Sequence, residues 1–416
     1  MAGIYVHIPF CKRRCRYCDF YSPSLENSAR SDKRETYVVA VCREVELRRG
    51  FLQGEAIKTL YFGGGTPSQF SPALLGHIVR KAEQVFGFES LDELTIEANP
   101  DDLSQEWIDG LKKAIPQHQL RISMGIQTFD DDMLHLLGRR HTAQEAADAV
   151  HRLQDSGITE ISIDLMYGLP MANGKDGKNG NDGKNGNDEN DEKNETNETK
   201  EEMWQRDLDK AVSLAVPHIS AYHLSYEEGT PLHQMRERGE VCEVSEEESV
   251  ALFKQLRRTL LDAGYRHYEI SNFALPGHEA RHNSSYWSGI PYLGLGPGAH
   301  SFNGRQRQWN HPNLNRYIEV LGSKEVIENL GTISSGETLS DDDRYNEYIM
   351  TRLRTANGIS PQEITTRFGE ERAGYCHSRA QTFLKSHRLS ETADGRWVLT
   401  EEGIFVSDAI IADLFC

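Results

Sequence analysis

The stretch HIPFCKRRCRYCDF covers residues 7–20 and sets Cys11, Cys15 and Cys18 in a C-x3-C-x2-C array. It follows IYVHI (4–8), whose alternating pattern predicts a strand. Three thiols are one fewer than a structural zinc site needs, and His7 is the side chain at hand to complete one. A redox Cys-x-x-Cys uses only two cysteines and opens a helix. A four-iron cubane accounts for all three thiols directly after a first strand: three thiolates hold three irons, and the fourth iron stays open to a ligand with nitrogen and oxygen donors.

Further strands follow in both apolar content and spacing. KTLYF (58–62), ELTIEA (93–98), QLRISMGI (119–126), ISIDLMY (161–167) and HISAYHL (218–224) are short β-branched or apolar runs. Between them, RETYVVAVCREVELRR (34–49) and TAQEAADAVHRLQDSG (142–157) carry apolar residues at i, i+3 and i+4 and predict helices, the second stopped by Gly157. Alternation of this kind predicts a parallel sheet, either open and doubly wound or curled into a barrel. Residues 173–202 break the pattern. NGKDGKNGNDGKNGNDENDEKNETNETKEE contains no Val, Ile, Leu, Met, Phe, Trp or Tyr, so burial cannot offset its ordering entropy. A disordered insertion is expected there, ahead of a helix starting near Met203. Another amphipathic helix is predicted over 245–264.

Residues 265–311 are rich in Gly, Tyr and Trp and predict short strands and loops. After a boundary near 325–340 come three helical segments, DRYNEYIMTRLRTANG (343–358), SPQEITTRFG (360–369) and AGYCHSRAQTFLKSHR (373–388). LSETADGRWVLT (389–400) then reads as a hairpin turning at Asp394-Gly395, before a last helix. The order is that of a winged helix. Residues 341–416 carry 13 acids against 9 bases, which favours a structural or protein-contact role over DNA binding.

The 416 residues suffice for a large core, and the net charge of −18 disfavours non-specific attraction to nucleic acid or anionic lipid. Seven cysteines, three of them clustered, do not form a disulfide framework and point to metal or redox chemistry in a reducing compartment. Neither a secretory leader nor a membrane-spanning apolar run is visible, so a cytoplasmic protein is expected, touching a membrane at most transiently.

The cysteine loop resembles that of the radical S-adenosylmethionine (SAM) superfamily. The resemblance implies an α/β fold, a partial (β/α)6 TIM-like barrel, with a C-terminal winged-helix-like α+β module. It also implies a [4Fe-4S] cluster on Cys11, Cys15 and Cys18 whose open iron chelates the amino and carboxylate groups of SAM. Reduction then cleaves a carbon–sulfur bond to give a 5′-deoxyadenosyl radical, chemistry that the cofactor supplies and the protein positions. The implied division is a core barrel over 1–240, a completing region over 241–330 and the winged-helix-like module over 331–416. Gly64, Gly65 and Thr66 of FGGGTPS (62–68) lie at a predicted strand end, where α/β barrels hold ligands. Glu97, Gln127 and Asp164 occupy equivalent ends, and the family match extends the SAM set to them, to Arg139 in LGRRHT and to Tyr5.

Nearly the whole chain resembles the oxygen-independent coproporphyrinogen III oxidase family, which decarboxylates porphyrin propionates by radical chemistry. Two departures set it apart. Phe20 stands where that branch has a fourth cysteine, and only ten residues precede Cys11, where the oxidases carry a longer arm that helps form the substrate site. RHNSSYW (281–287) instead matches the H-N-x-x-Y-W motif of the heme chaperone branch, implying heme binding at His282, Asn283, Tyr286 and Trp287. A neutral imidazole suits heme iron, and two aromatic faces suit a porphyrin. His223 and His300 are further histidines without an assigned role. The expected function is heme binding beside a SAM-ligated cluster, with delivery of heme to an acceptor such as a respiratory membrane protein. The alternatives are a radical porphyrinogen decarboxylase and a zinc protein that binds partners through its winged helix.

Overall fold

The computed structural model describes residues 1–22, 30–170, 198–322 and 330–416. The chain runs β1 (Ala2–Ile8), α1 (Arg30–Leu47), β2 (Ile57–Gly64), α2 (Pro72–Phe86), β3 (Glu93–Ala98), α3 (Gln105–Ala114), β4 (Leu120–Gln127), α4 (Asp131–Leu137), α5 (Ala143–Asp155) and β5 (Glu160–Tyr167). It continues through α6 (Lys200–Ser213), β6 (His218–His223), α7 (Pro231–Glu237) and α8 (Glu246–Asp262). Then come β7 (Arg266–Glu269), β8 (Asn272–Ala274), α9 (Arg281–Trp287), β9 (Tyr292–Leu295), β10 (His300–Phe302), β11 (Gln306–Asn310), α10 (Leu314–Gly322) and β12 (Ser334–Thr338). The C-terminal part holds α11 (Asp341–Leu353), α12 (Pro361–Phe368), α13 (Glu370–Lys385), β13 (Leu389–Glu391), β14 (Trp397–Leu399), α14 (Glu401–Ile404) and α15 (Ser407–Asp413).

β1 to β6 pair in parallel and in chain order, which gives the six-stranded partial barrel. β9 adds to β1 in parallel, and antiparallel strands extend both edges in the order β12-β11-β10-β9 on one side and β6-β8-β7 on the other. The two faces of the strands differ in chemistry because side chains alternate. One face carries Ile4, Val6, Ile8, Leu60, Phe62, Ile122 and Ile163, all fully buried in the main hydrophobic core with Val41, Leu75 and Leu111 of the covering helices. The other carries Tyr5, His7, Thr59, Tyr61, Glu97, Arg121, Ser123, Asp164, His218 and Ser220. The barrel interior is therefore polar, and its groups must find partners or a ligand.

Two expectations are corrected. The tract 173–202 lies outside the described residues as far as 197, but residues 198–202 are described. The following helix starts at Lys200, not near Met203, because Thr199 and Glu202 form a reciprocal capping box. RHNSSYW is a helix, α9, rather than part of a loop region. The Glu93 carboxylate accepts from the backbone N–H groups of Arg281 at 3.0 Å and His282 at 2.8 Å, which satisfies the orphan donors of its first turn. The helices and hairpin of residues 341–416 enclose a second core around Tyr345, Ile349, Ile364, Trp397 and Ile410, separate from that of the barrel.

Candidate functional site

The cysteine loop leaves the carboxyl end of β1 and is anchored across the barrel mouth. Backbone bonds join Arg16 N to Leu137 O at 2.9 Å and Leu232 N to Arg16 O at 2.9 Å. A polar chain then links the thiols to the neighbouring strand ends. Cys11 Sγ lies 3.2 Å from Thr66 Oγ1, which accepts from Asn99 Nδ2 at 3.4 Å. Asn99 Oδ1 accepts from Arg139 Nη2 at 2.7 Å, and Arg139 Nη1 donates to Cys15 Sγ at 3.4 Å. Burial first, then the charges of Cys15 and Cys11, push the Cys18 thiol up to about 11, against the backbone hydrogen bond at Phe20 that lowers it. Thiols that oppose one another's ionisation need a cationic centre to become thiolates together. Among the described residues no three His, Cys, Asp or Glu side chains are arranged to hold a single metal ion. A cubane takes three thiolates at separate corners, and Cys11, Cys15 and Cys18 supply that number from one loop. His7 does not complete a zinc site: its Nδ1 lies 3.1 Å from Tyr5 Oη and its Nε2 lies 3.1 Å from Tyr21 O.

The glycine turn after β2 forms a cradle. Gly64 has φ +104°, and a Cβ there would fall 2.4 Å from the His7 ring. A Cβ on Gly65 would fall 2.7 Å from Ile8 O. Only glycine keeps this backbone beside the site. The Gly64 N–H donates to Glu97 Oε2 at 3.0 Å, and the Tyr61 hydroxyl donates to Glu97 Oε1 at 2.8 Å. Burial, and then Asp164, push Glu97 up to about 7; burial pushes Asp164 up to about 6 against the Ser220 hydroxyl, Arg139 and the Ser123 hydroxyl. Two buried carboxyls poised near neutrality suit a cationic ligand. Gln127 is a left-handed residue, φ 78°, at the register shift between β4 and β5, and Arg139 Nε is buried without a partner. These two features mark a site built around something other than protein. The cysteine loop lies beside Gly64, Gly65, Thr66, Glu97 and Gln127 at or next to strand ends, while Tyr5 and Asp164 sit within β1 and β5 and Arg139 follows α4. Asn99 and Tyr61 belong with them. Asn99 sits in TIEANP at a strand end before a proline, a signal that sequence reading passed over in favour of Glu97.

The heme-motif residues part company. His282 is 1% exposed and does not face open space. Its Nδ1 bonds Thr59 Oγ1 at 2.8 Å, its Nε2 bonds Tyr286 Oη at 2.8 Å, and burial lowers it to about 3. Both ring nitrogens of His282 thus have protein partners inside the barrel, where Gly3 makes room for the ring. Asn283 is half-buried and is not among the residues lining the cavity that Tyr286 and Trp287 share. Tyr286 and Trp287 do. They wall a cavity of about 800 Å³ that runs from Gly64 and Glu97 at the barrel mouth, past Phe20 and Tyr292, to α11 of the C-terminal module.

Residues 5–178 match the model of the Radical SAM superfamily, and residues 339–406 match the HemN C-terminal domain. The coproporphyrinogen III oxidase HemN from Escherichia coli, described as a radical SAM enzyme, superposes on 100% of this chain and 90% of its own with a TM-score of 0.77; at 19% identity this is a likeness of fold. The heme chaperone HemW of Synechocystis is 30% identical over 99% of this chain and 95% of its own length. The chain belongs to the HemW family. The heme chaperone HemW of Lactococcus lactis, 31% identical over 88% of this chain and 84% of its own, agrees. In this HemW-family chain no helix among the described residues is long and apolar enough to cross a membrane.

Proposed function

We propose that this protein is a heme chaperone that carries a SAM-ligated [4Fe-4S] cluster. It binds heme and hands it to an acceptor protein in the cytoplasm or at the inner face of a membrane, and it contacts the membrane only in passing. Cys11, Cys15 and Cys18 hold the cluster, which when bound supplies the redox chemistry. Arg139 takes the methionine carboxylate of SAM with its free Nε, Glu97 and Asp164 take the positive charge, and the turn through Gly64, Gly65 and Thr66 packs against the methionine. Tyr5 borders the same pocket, and Gln127 lies beside Arg139. Tyr286 and Trp287 flank the porphyrin, with His282 anchoring the helix that carries them and Asn283 beside it on that helix. The barrel spans 1–240, the region that closes it 241–330, and the C-terminal module 331–416.

The observation that carries this reading is the single cavity joining the glycine cradle and Glu97 to an aromatic wall. One compartment gives a cationic nucleoside and a flat apolar macrocycle adjoining places. The test is anaerobic reconstitution with iron, sulfide, heme and SAM. Heme uptake by the purified chain, without consumption of coproporphyrinogen III, is expected. Turnover of the porphyrinogen with release of 5′-deoxyadenosine would overturn the chaperone reading in favour of a decarboxylase.

A further inference from the structure

We infer that heme is seated at the seam between β9–β11 and α11, with its iron on His300 and its propionates on the arginines of the C-terminal module. The inference deepens the chaperone reading and rests on it. The histidines near the cavity differ in what their ring nitrogens do. His7 and His282 each spend both nitrogens on protein partners. His300 lines the cavity at a partly exposed position, and among the described residues neither of its ring nitrogens has a hydrogen-bond partner. Its ring is held in place by stacking on Trp309, with centroids 6.2 Å apart and planes 27° apart, so one face is fixed and the edge is left free. Burial first, then the Arg307 charge, lower its proton affinity, which keeps the imidazole in its metal-binding neutral form.

The charge of the walls points the same way. In a chain of net charge −18 the cavity is lined by Arg307, Arg344, Arg352 and Arg367 against only Glu97 and Glu347. The arginines are steadied by carboxylates behind the wall, Arg344 by Asp341 at 3.1 Å and Arg367 by Glu363 at 2.9 Å. Arg307 pairs with Glu337 at 3.3 Å and with Glu347, and Arg352 with Glu363 at 3.8 Å. A guanidinium has five N–H donors, so Arg344 and Arg367, with one such pair each, keep donors for a ligand carboxylate. The same cavity is lined by the aromatic side chains of Tyr286, Trp287, Phe302 and Phe20, and the indole Nε1 of Trp287 is buried with no partner among the described residues. An amphipathic dianion with a flat apolar body and a metal centre satisfies all three features together. The volume of about 800 Å³ is within the range of cofactor pockets.

The experiment titrates the full-length chain with ferric heme, with metal-free protoporphyrin and with protoporphyrin dimethyl ester, and reads the Soret band and resonance Raman signature. His300→Ala is expected to lose the histidine-ligated heme spectrum, to regain it with added imidazole, and to bind metal-free protoporphyrin as the parent does. Arg344→Ala with Arg367→Ala is expected to weaken heme and protoporphyrin at least tenfold and leave the dimethyl ester unchanged. An unaltered histidine-ligated spectrum in His300→Ala would overturn the inference alone, since the parent protein still binds heme. Failure of the parent to bind heme would overturn the chaperone reading and this inference with it.

Discussion

The Nδ1 atom of His282 lies 2.8 Å from the hydroxyl of Thr59, in the interior of the barrel and two residues below Tyr61, whose own hydroxyl holds Glu97. The motif histidine is thus a plug beneath the cofactor site. α9 packs against β1, β2 and β3 and is pinned there by the Glu93 carboxylate, which Arg121 also holds at 2.9 Å. His282→Ala leaves a cavity and strands the Thr59 hydroxyl, so a loss of about 2–4 kcal/mol is expected. Urea unfolding measures it. The folded variant is expected to keep heme uptake; a stable variant unable to bind heme would make the histidine a ligand after all.

Gly64→Ala tests the cradle. The new methyl would meet the His7 ring, and the residue would remain at φ +104°. A cost of about 1–3 kcal/mol is expected from the backbone alone. SAM affinity, read by calorimetry on reconstituted protein, is expected to fall further than stability does, since His7 has to shift into the site.

Arg139→Gln removes the guanidinium that spans Cys15 and Asn99 and carries the unpartnered Nε. Loss of a charge-assisted bond to the SAM carboxylate is worth about 1.5–3 kcal/mol, a tenfold weakening or more. Iron and sulfide content should stay at the parent level, because all three thiols remain and Cys15 loses only a long hydrogen bond. Unchanged SAM affinity would remove Arg139 from the binding site.

The pH dependence follows from Glu97. It titrates at about 7 in the fold against an ordinary 4.5, chiefly through burial. A carboxyl that holds its proton more tightly when folded contributes stability that is present below the ordinary value and lost as pH rises through the folded one. The window is therefore pH 4.5 to 7. Buried His141, His218 and His282, each lowered to about 3, act in the opposite sense over pH 3 to 6.5, so the comparison has to be between variants. The Tm of Glu97→Gln relative to the parent should rise between pH 5 and 8. A difference that stays level across that window would contradict the assignment.

Much of this was legible in the sequence because it is local. Strand periodicity located β1 to β6 to within two residues at each end, and ELTIEA matched β3 at both ends. The candidate residues at strand ends come together for the same reason: in a parallel barrel the carboxyl ends converge whatever the helices do. What escaped depends on contacts distant in sequence. Nothing near RHNSSYW announces that Glu93, almost two hundred residues earlier, caps it into a helix, or that Thr59 claims the histidine. The arginines of α11 and α12 read as ordinary surface charges on amphipathic helices. Only the packing of the second core against the barrel turns them toward one cavity.

The most direct test of the account is the electron paramagnetic resonance spectrum of the anaerobically reconstituted, reduced protein before and after SAM. The account predicts a [4Fe-4S] signal that SAM perturbs, and its loss when Cys11, Cys15 or Cys18 is changed to serine. A signal indifferent to SAM, or a protein that takes up zinc and no iron, would contradict it.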